Sequence, residues 1–182
     1  IISSLIELQS ASIKDEDTAQ VISSWQNRIN SIALIHHDLY QFDNDTSVRL
    51  SEYLDHLVSN IRTVYAGQKN VRLNLEVNES ITLDVYKAVS LGLIVNELIS
   101  NCFKHAFKAK DEGEIWLKVY ENPKDSIEVI VEDNGDGIAQ NKQEGNSNSL
   151  GLRLVHILVR QLKANFHWET QSGSKAIIRF KR

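Results

Sequence analysis

Apolar residues recur every three or four positions through the first part of the chain, the spacing of an amphipathic helix. One such stripe begins at Ile1, and a second runs from Ile22 to Leu39 after a polar break. Two helices that share one apolar seam bury it poorly by themselves, so we expect a hairpin that pairs with a second copy as a homodimeric four-helix bundle. The polar connector 41–47 ends this region, and we predict one domain over 1–43.

The remaining residues, 44–182, alternate helical and strand patterns and are predicted to form a second domain. Spacings of three and four predict helices, and strict alternation of apolar and polar residues predicts strands. The predicted helices are 50–64, 83–107 and 150–162. The predicted strands are 71–77, an antiparallel pair 114–120 and 127–132, and a closing hairpin 166–169 and 175–181. This order predicts an α+β chain, in which a helical hairpin precedes a two-layer α/β sandwich.

Composition narrows the class of protein. The net charge of −4 over 182 residues gives no electrostatic case for a nucleic-acid partner. No apolar run reaches membrane-spanning length, so we expect no membrane contact by this chain. Cys102 is the single cysteine and has no partner for an internal disulfide, which fits a cytoplasmic setting. The chain begins inside an apolar pattern and contains no Met, so we expect a fragment of a longer protein.

The predicted helix 83–107 carries the first candidate chemistry. Glu97, Asn101 and Lys104 are spaced to project from one helical face, and His105 follows directly. A carboxylate, an amide oxygen and a cation along one face suit a magnesium–polyphosphate group, because Mg²⁺ takes oxygen ligands. Glu97 is either a base or a group that orients its neighbours. The alternative is an ordinary solvated face with a Glu–Lys pair.

A second candidate follows the strand 127–132, where the chain reads Asp-Asn-Gly-Asp-Gly over 133–137. Asp133 is able to accept a hydrogen bond from an exocyclic amine such as that of adenine. Gly135 and Gly137 would let the backbone approach a flat base, since they have no Cβ. The alternative is a simple turn, in which Asn and Gly occur for conformational reasons.

A third candidate is the start of the helix 150–162, which follows a Gly-, Ser- and Asn-rich loop over 141–149. A helix N-terminus offers free N–H groups and a positive dipole end to phosphate. Considered alone, Ser149 is better explained as an N-cap, and Arg153 as a solvated helix residue.

The order of these motifs is more specific than any one of them. It resembles the Bergerat-type ATP-binding domain shared by sensor histidine kinases, gyrase-type topoisomerases, mismatch-repair ATPases and heat-shock chaperones. The stretches 1–9, 28–40 and 91–101 also resemble the dimerisation helices and the asparagine-bearing helix of one histidine-kinase subfamily, the HWE/HisKA-like one. Together the resemblances span nearly the whole chain.

The resemblance implies a kinase that uses ATP and Mg²⁺. Asn101 would bind Mg²⁺ and act in catalysis with Glu97 and Lys104, while Lys104 and His105 would contact phosphates. Asp133 would recognise the adenine amino group. The other implied nucleotide contacts are Gly135, Gly137, Ile138, Leu150, Gly151, Leu152 and Ser174, with 141–149 as a lid. The γ-phosphoryl group would pass to a His on the dimerisation helix and then to the Asp of a response regulator.

This sequence departs from the family pattern in three respects. Ser149 replaces the first Gly of the usual Gly-x-Gly lid motif, and the lid is short. The phosphate-accepting His is expected upstream of Ile1, and His36 and His37 are weaker candidates for that role. These departures leave two alternatives open: an ATP-binding dimerisation scaffold without kinase activity, and a Bergerat-type ATPase.

Overall fold

The computed structural model describes residues 47–66, 70–123, 125–136, 150–170 and 173–182. The predicted helical hairpin, its dimeric bundle and the two histidines within it lie outside the described residues. The same is true of the whole proposed lid 141–149, which includes Ser149, of Gly137 and Ile138, and of the boundary after residue 43.

The described residues form three α-helices, one π-helical turn and seven strands. The helices are α1 (Leu50–Val64), α2 (Val85–Asn101) and α3 (Leu150–Gln161), and the π-helical turn is Cys102–Ala106. The strands are β1 (Ser47–Arg49), β2 (Asn70–Val77), β3 (Thr82–Asp84), β4 (Glu112–Asn122), β5 (Ser126–Asp133), β6 (Asn165–Glu169) and β7 (Ser174–Lys181).

Five strands form one sheet in the order β2-β4-β5-β7-β6. The β4–β5 pair is antiparallel, as predicted, and β6 and β7 pair antiparallel as the predicted closing hairpin. β2 pairs parallel with β4, which requires the chain to cross over between them through α2. The short strands β1 and β3, which the sequence analysis did not predict, form a separate antiparallel pair.

The predicted helix 83–107 differs from the observed one at both ends. Residues 83 and 84 belong to β3, and α2 begins at Val85 because the Asp84 side chain accepts a hydrogen bond from the Lys87 N–H at 2.9 Å. This N-cap satisfies one of the free donors of the first turn. At the other end, the α-helical hydrogen-bond pattern stops at Asn101 and the π-helical turn follows.

The core lies between the helices and one face of the sheet. Alternate residues of the central strands point into it, and they are fully or almost fully buried: Ile115, Leu117, Val119, Ile127, Val129, Val131, Ala176, Ile178 and Phe180. Asp133 continues the inward row of β5 beyond Val131. A carboxylate therefore lies on the helix-covered side of the sheet, at the end of an otherwise apolar strand.

Helix α1 approaches α2 closely at Gly92. A Cβ built on this glycine would lie 1.6 Å from the Tyr53 hydroxyl oxygen, and Tyr53 is almost fully buried. Only glycine fits here, because overfilling a packed core forces strained side chains or backbone shifts. The contact fixes α2, the helix that carries the candidate site, against α1.

Candidate functional site

The site-bearing helix changes its geometry where the candidate residues begin. Asn101 is the last α-helical residue and is half-buried, whereas Lys104 and His105 are exposed on the π-helical turn. Hydrogen bonds in a π-helix span five residues, so the turn is wider than an α-helical one. The assumption that α-helical spacing continues from Asn101 to Lys104 is therefore wrong, and the alignment of Lys104 with Glu97 and Asn101 on one face stays a prediction. Such π-turns inside helices occur frequently at functional sites.

Glu97 lies one turn earlier on α2 and is only 6% exposed. The adjacent Asn96 and the nearby Ser100 are also buried. Carboxylates are seldom buried to this extent unless they have partners or a role. Glu97 is therefore in a protected position beside Asn101 and is not a member of a solvated helix face.

Asp133 is the best-anchored polar group of the site. It is 3% exposed, and its Oδ2 accepts a hydrogen bond from the Ser174 hydroxyl at 2.7 Å. Its Oδ1 accepts from the Gly135 N–H at 2.9 Å and from the Ser174 N–H at 3.3 Å. These donors come from the start of β7 and from the loop after β5, so they hold the carboxylate in one orientation.

The loop after β5 is fastened to the π-helical turn. The Asp136 N–H donates to the Ala106 carbonyl at 2.7 Å, and the Lys110 ammonium donates to the carbonyls of Asn134 and Gly135 at 2.6 and 3.1 Å. A Cβ on Gly135 would lie 2.2 Å from the Ala106 carbonyl oxygen, so the close approach requires glycine. The two motifs that the sequence analysis singled out thus lie directly against each other.

The side chain of Cys102, the first residue of the π-helical turn, interacts with Asp133 of the second motif. Burial raises the pKa of the Cys102 thiol well above its ordinary value, and the charge of Asp133 and a hydrogen bond to that carboxylate raise it further. From the sequence, Cys102 was only the single cysteine without a disulfide partner, because a helical pattern does not show what a thiol faces. The structure makes it a neighbour of the candidate adenine-binding carboxylate.

We expect Cys102 to make the stability of the protein depend on pH. Its pKa is higher in the folded than in the unfolded chain, so its contribution is complete below the unfolded value of about 8.5 and is lost as pH rises toward the folded value. The free energy of unfolding should therefore fall above about pH 8.5, by at most about 1.4 kcal/mol per pH unit. Urea denaturation between pH 7 and pH 9.5 measures this slope.

The Cys102→Ala variant is the matched control for that slope. Its absolute stability will differ because the packing changes, but its stability should decline less steeply over the same pH range. Equal slopes in the two proteins would contradict a strongly raised thiol pKa.

Helix α3 brings the third candidate element beside the first. It packs against α2, with Leu150 exposed and with Gly151 and Leu152 half-buried at its start. Arg153 is exposed, as expected for a solvated residue. The helix α3 thus packs against the helix that carries Asn101 and buries Val155, Leu158 and Val159, while its first turn stays partly open.

A metal site built from protein side chains alone would need several acidic, imidazole or thiolate groups. The described residues contain no group of three or more His, Cys, Asp or Glu side chains placed to hold a metal ion. Asn101 supplies one amide oxygen, so Mg²⁺ here would need further oxygens from phosphate and water. That ligand set is the usual one for Mg²⁺ bound with a nucleotide, and the residues present fit it.

Comparison with known proteins assigns the family. Residues 1–65 match the family profile described as "Histidine kinase", and residues 86–182 match the one described as "Histidine kinase-, DNA gyrase B-, and HSP90-like ATPase". The chain belongs to the histidine kinase family. The resemblance to a histidine kinase found in the sequence is thereby confirmed, and a histidine kinase profile precedes the ATPase-like one along the chain.

Individual relatives are also histidine kinases. Sensor histidine kinase PdtaS of Mycobacterium tuberculosis (strain H37Rv) is 30% identical over 159 residues, which is 87% of this chain and 31% of that protein. Blue-light-activated histidine kinase 2 of Erythrobacter litoralis is 26% identical over 182 residues, which is 98% of this chain and 51% of that protein. This histidine kinase chain thus spans about a third to a half of the length of these curated relatives.

Solved structures confirm the fold. The histidine kinase domain of the Erythrobacter litoralis EL346 blue-light activated histidine kinase has a TM-score of 0.78 at 22% identity, over 98% of this chain and 93% of that chain. The predicted α+β class and the α/β sandwich are therefore confirmed, while the dimeric helical bundle remains a prediction. Among the residues that the structure describes, no helix is long and apolar enough to cross a membrane.

Proposed function

We propose that this histidine kinase chain binds ATP with Mg²⁺ and transfers the γ-phosphoryl group to a histidine on its dimerisation helices. The observation that carries the proposal is the junction of the Asp133 loop with the end of α2. The N–H of Asp136 donates to the carbonyl of Ala106 at 2.7 Å, so the loop that follows the anchored Asp133 carboxylate lies against the π-helical turn, which begins directly after Asn101. The adenine end of a bound nucleotide would contact the Asp133 carboxylate, and its phosphate end would contact the π-helical turn.

At the adenine end, Asp133 accepts a hydrogen bond from the exocyclic amine. Its orientation is set before the ligand arrives, because Ser174 and Gly135 already donate to it. Pre-orientation lowers the entropy cost of binding. Ser174 lies beside the base. The Ala106 carbonyl occupies the space that a Gly135 Cβ would fill, so Gly135 acts through its N–H, which donates to Asp133, and not by admitting the base as the sequence suggested. Gly137 and Ile138 would line the same pocket.

At the phosphate end, Lys104 and His105 are exposed on the π-helical turn and donate hydrogen bonds to phosphate oxygens. Gly151 and Leu152 contribute backbone N–H groups from the first turn of α3, next to Leu150, and the helix dipole favours the negative charge there. Asn101 would hold the Mg²⁺, which neutralises phosphate charge when bound. The loop 141–149 is proposed as the lid.

The transfer itself requires little covalent chemistry from the protein. A neutral imidazole nitrogen of the acceptor forms a bond to the γ-phosphorus as the bond to the β–γ bridging oxygen breaks, and ADP leaves. The imidazole then loses its other ring proton, and Glu97, a buried carboxylate one turn before Asn101, is the proposed base that accepts it. Lys104 offsets the charge on the transferring group.

The proposed partners follow from the helical region 1–43. We propose that it forms a homodimer through a four-helix bundle, and that a response-regulator receiver domain takes the phosphoryl group onto an Asp. The proposed acceptor precedes Ile1, and the proposed setting is the cytoplasm. The catalytic ATP-binding domain is assigned to 44–182.

Incubation with γ-labelled ATP tests the proposal and separates it from its alternatives. The protein used carries its native residues upstream of Ile1, and Mg²⁺ is present. Label that stays on the protein, is lost in acid and survives base is phosphohistidine and supports the kinase. Released phosphate without labelled protein would indicate an ATPase. Bound ATP that remains intact would indicate a scaffold, and either of these results overturns the proposal.

A further inference from the structure

Tyr65 connects α1 to the site-bearing helix. It ends α1, where its N–H donates to the Ile61 carbonyl at 3.1 Å, and it is 7% exposed. Its ring stacks on Phe103, with centroids 4.5 Å apart and planes 4° from parallel. Phe103 lies in the π-helical turn, directly before Lys104. A rigid aromatic contact therefore links the end of one helix to the turn that carries the phosphate-binding candidates.

The hydroxyl group of Tyr65 reaches a second part of the same helix. Burial raises the pKa of Tyr65 above 10.0 and the charge of Glu97 raises it further, while a hydrogen bond with Ser100 lowers it. The hydroxyl is thus bonded to Ser100 and lies close enough to Glu97 to interact with its charge. Ser100 and Glu97 are both buried, so water does not screen these interactions strongly.

The contacts of Tyr65 cover both sides of the transition from α-helix to π-helix. Ser100 and Glu97 belong to the last turns of α2, and Phe103 belongs to the π-helical turn. The end of the turn is also held, by the hydrogen bond from the Asp136 N–H to the Ala106 carbonyl. The turn is therefore fixed at two places, and Tyr65 is the one of these two anchors that also interacts with Glu97.

We propose that Tyr65 is a positioning residue for phosphoryl transfer, which holds Glu97 and the π-helical turn in the geometry that the reaction needs. The inference rests on the proposed kinase function and adds to it a residue outside the nucleotide-binding motifs. Tyr65 does not touch the nucleotide in this scheme. It acts through Ser100, Glu97 and Phe103, because small displacements of reacting groups slow a reaction far more than they weaken binding.

Tyr65→Phe tests the role of the hydroxyl and keeps the stacked ring. In the protein extended upstream to include the acceptor, we expect phosphohistidine formation at saturating ATP to fall about tenfold. The affinity for a non-hydrolysable ATP analogue should stay within about twofold, because the adenine end is anchored elsewhere. Tyr120→Phe is the matched control, since this exposed tyrosine bonds Glu76 at the edge of the sheet, and it should leave both quantities unchanged.

Ser100→Ala removes the hydrogen bond between Ser100 and Tyr65 by deleting the serine hydroxyl. This variant still tests the proposal if Tyr65→Phe folds poorly. We expect Ser100→Ala to slow transfer by a similar factor, and the double variant to be no slower than either single variant. Multiplying effects in the double variant would overturn the proposal. An unchanged rate in Tyr65→Phe, or rate and affinity falling in parallel with the melting temperature, would also overturn it.

The failure of this inference is distinguishable from failure of the proposed function. If the unmodified protein neither binds ATP nor forms phosphohistidine, the kinase proposal is wrong. If the unmodified protein does both and Tyr65→Phe matches it in both, the kinase proposal stands and only the role of Tyr65 is refuted.

Discussion

Asp133→Ala should weaken the binding of ATP by about 10- to 100-fold, since a hydrogen bond to a charged group contributes about 1.5–3 kcal/mol and each 1.4 kcal/mol is tenfold. The substitution removes the proposed acceptor for the adenine amine. It also leaves the Ser174 hydroxyl and the Gly135 N–H without the oxygens that they now bond. Isothermal titration with a non-hydrolysable ATP analogue measures the loss.

A second ligand separates recognition of the amine from general damage to the pocket. The unmodified protein should bind purine riboside triphosphate, which lacks the 6-amino group, more weakly than ATP, whereas Asp133→Ala should bind both equally weakly. Asp125→Asn is the matched control, because this carboxylate is exposed at the opposite end of β5 and its positive φ of 53° suits Asn. Unchanged affinity in Asp133→Ala would refute the assignment of the adenine pocket.

Asn101→Ala should remove the magnesium dependence of nucleotide binding. The described residues offer no cluster of acidic or imidazole ligands that would replace the Asn101 oxygen. We expect the affinity for the ATP analogue with Mg²⁺ to fall at least about tenfold, since even indirect partners of a bound metal are worth 10–100-fold. In the presence of EDTA, the variant and the unmodified protein should bind alike.

Titrations with Mg²⁺ and with EDTA, carried out on both proteins, give the four affinities needed. Asn165→Ala is the matched control, because this exposed asparagine begins the edge strand β6. Asn165→Ala should keep the full difference between the affinity for the ATP analogue measured with Mg²⁺ and the affinity measured with EDTA. If Asn101→Ala keeps that difference as well, the metal is held elsewhere and the proposed role of Asn101 is wrong.

Local pattern was enough to predict most of the domain. Alternation in 71–77, 114–120 and 127–132 corresponds to β2, β4 and β5, because one face of this sheet is covered and the other is open to solvent. The antiparallel β4–β5 and β6–β7 pairs were predictable because each is joined by a short turn. The parallel β2–β4 pair depends on a long crossover, about which local pattern says nothing.

The sequence was enough to predict which residues belong to the candidate site, but not which contacts they make. Asp133 and Asn101 were identified from residue type and motif order, and the structure places their elements together. The π-helical turn was not predictable, because the 3.6-residue period was assumed to continue past Asn101. Cys102 contacts Asp133, and Tyr65 contacts Phe103. The residues of each pair are distant in sequence, so a single sequence does not reveal that they touch.

The parallel pairing of β2 with β4 has a consequence for how the protein acquires its activity. The two strands are separated in sequence by β3, α2 and the π-helical turn, so their pairing closes a long loop and belongs to the slow, non-local part of folding. Asp133 belongs to β5, which pairs with β4 in that sheet, so we expect it to reach its position beside the π-helical turn when the sheet closes. Competence to bind a nucleotide should therefore arise with the closure of the sheet and not with the earlier formation of helix.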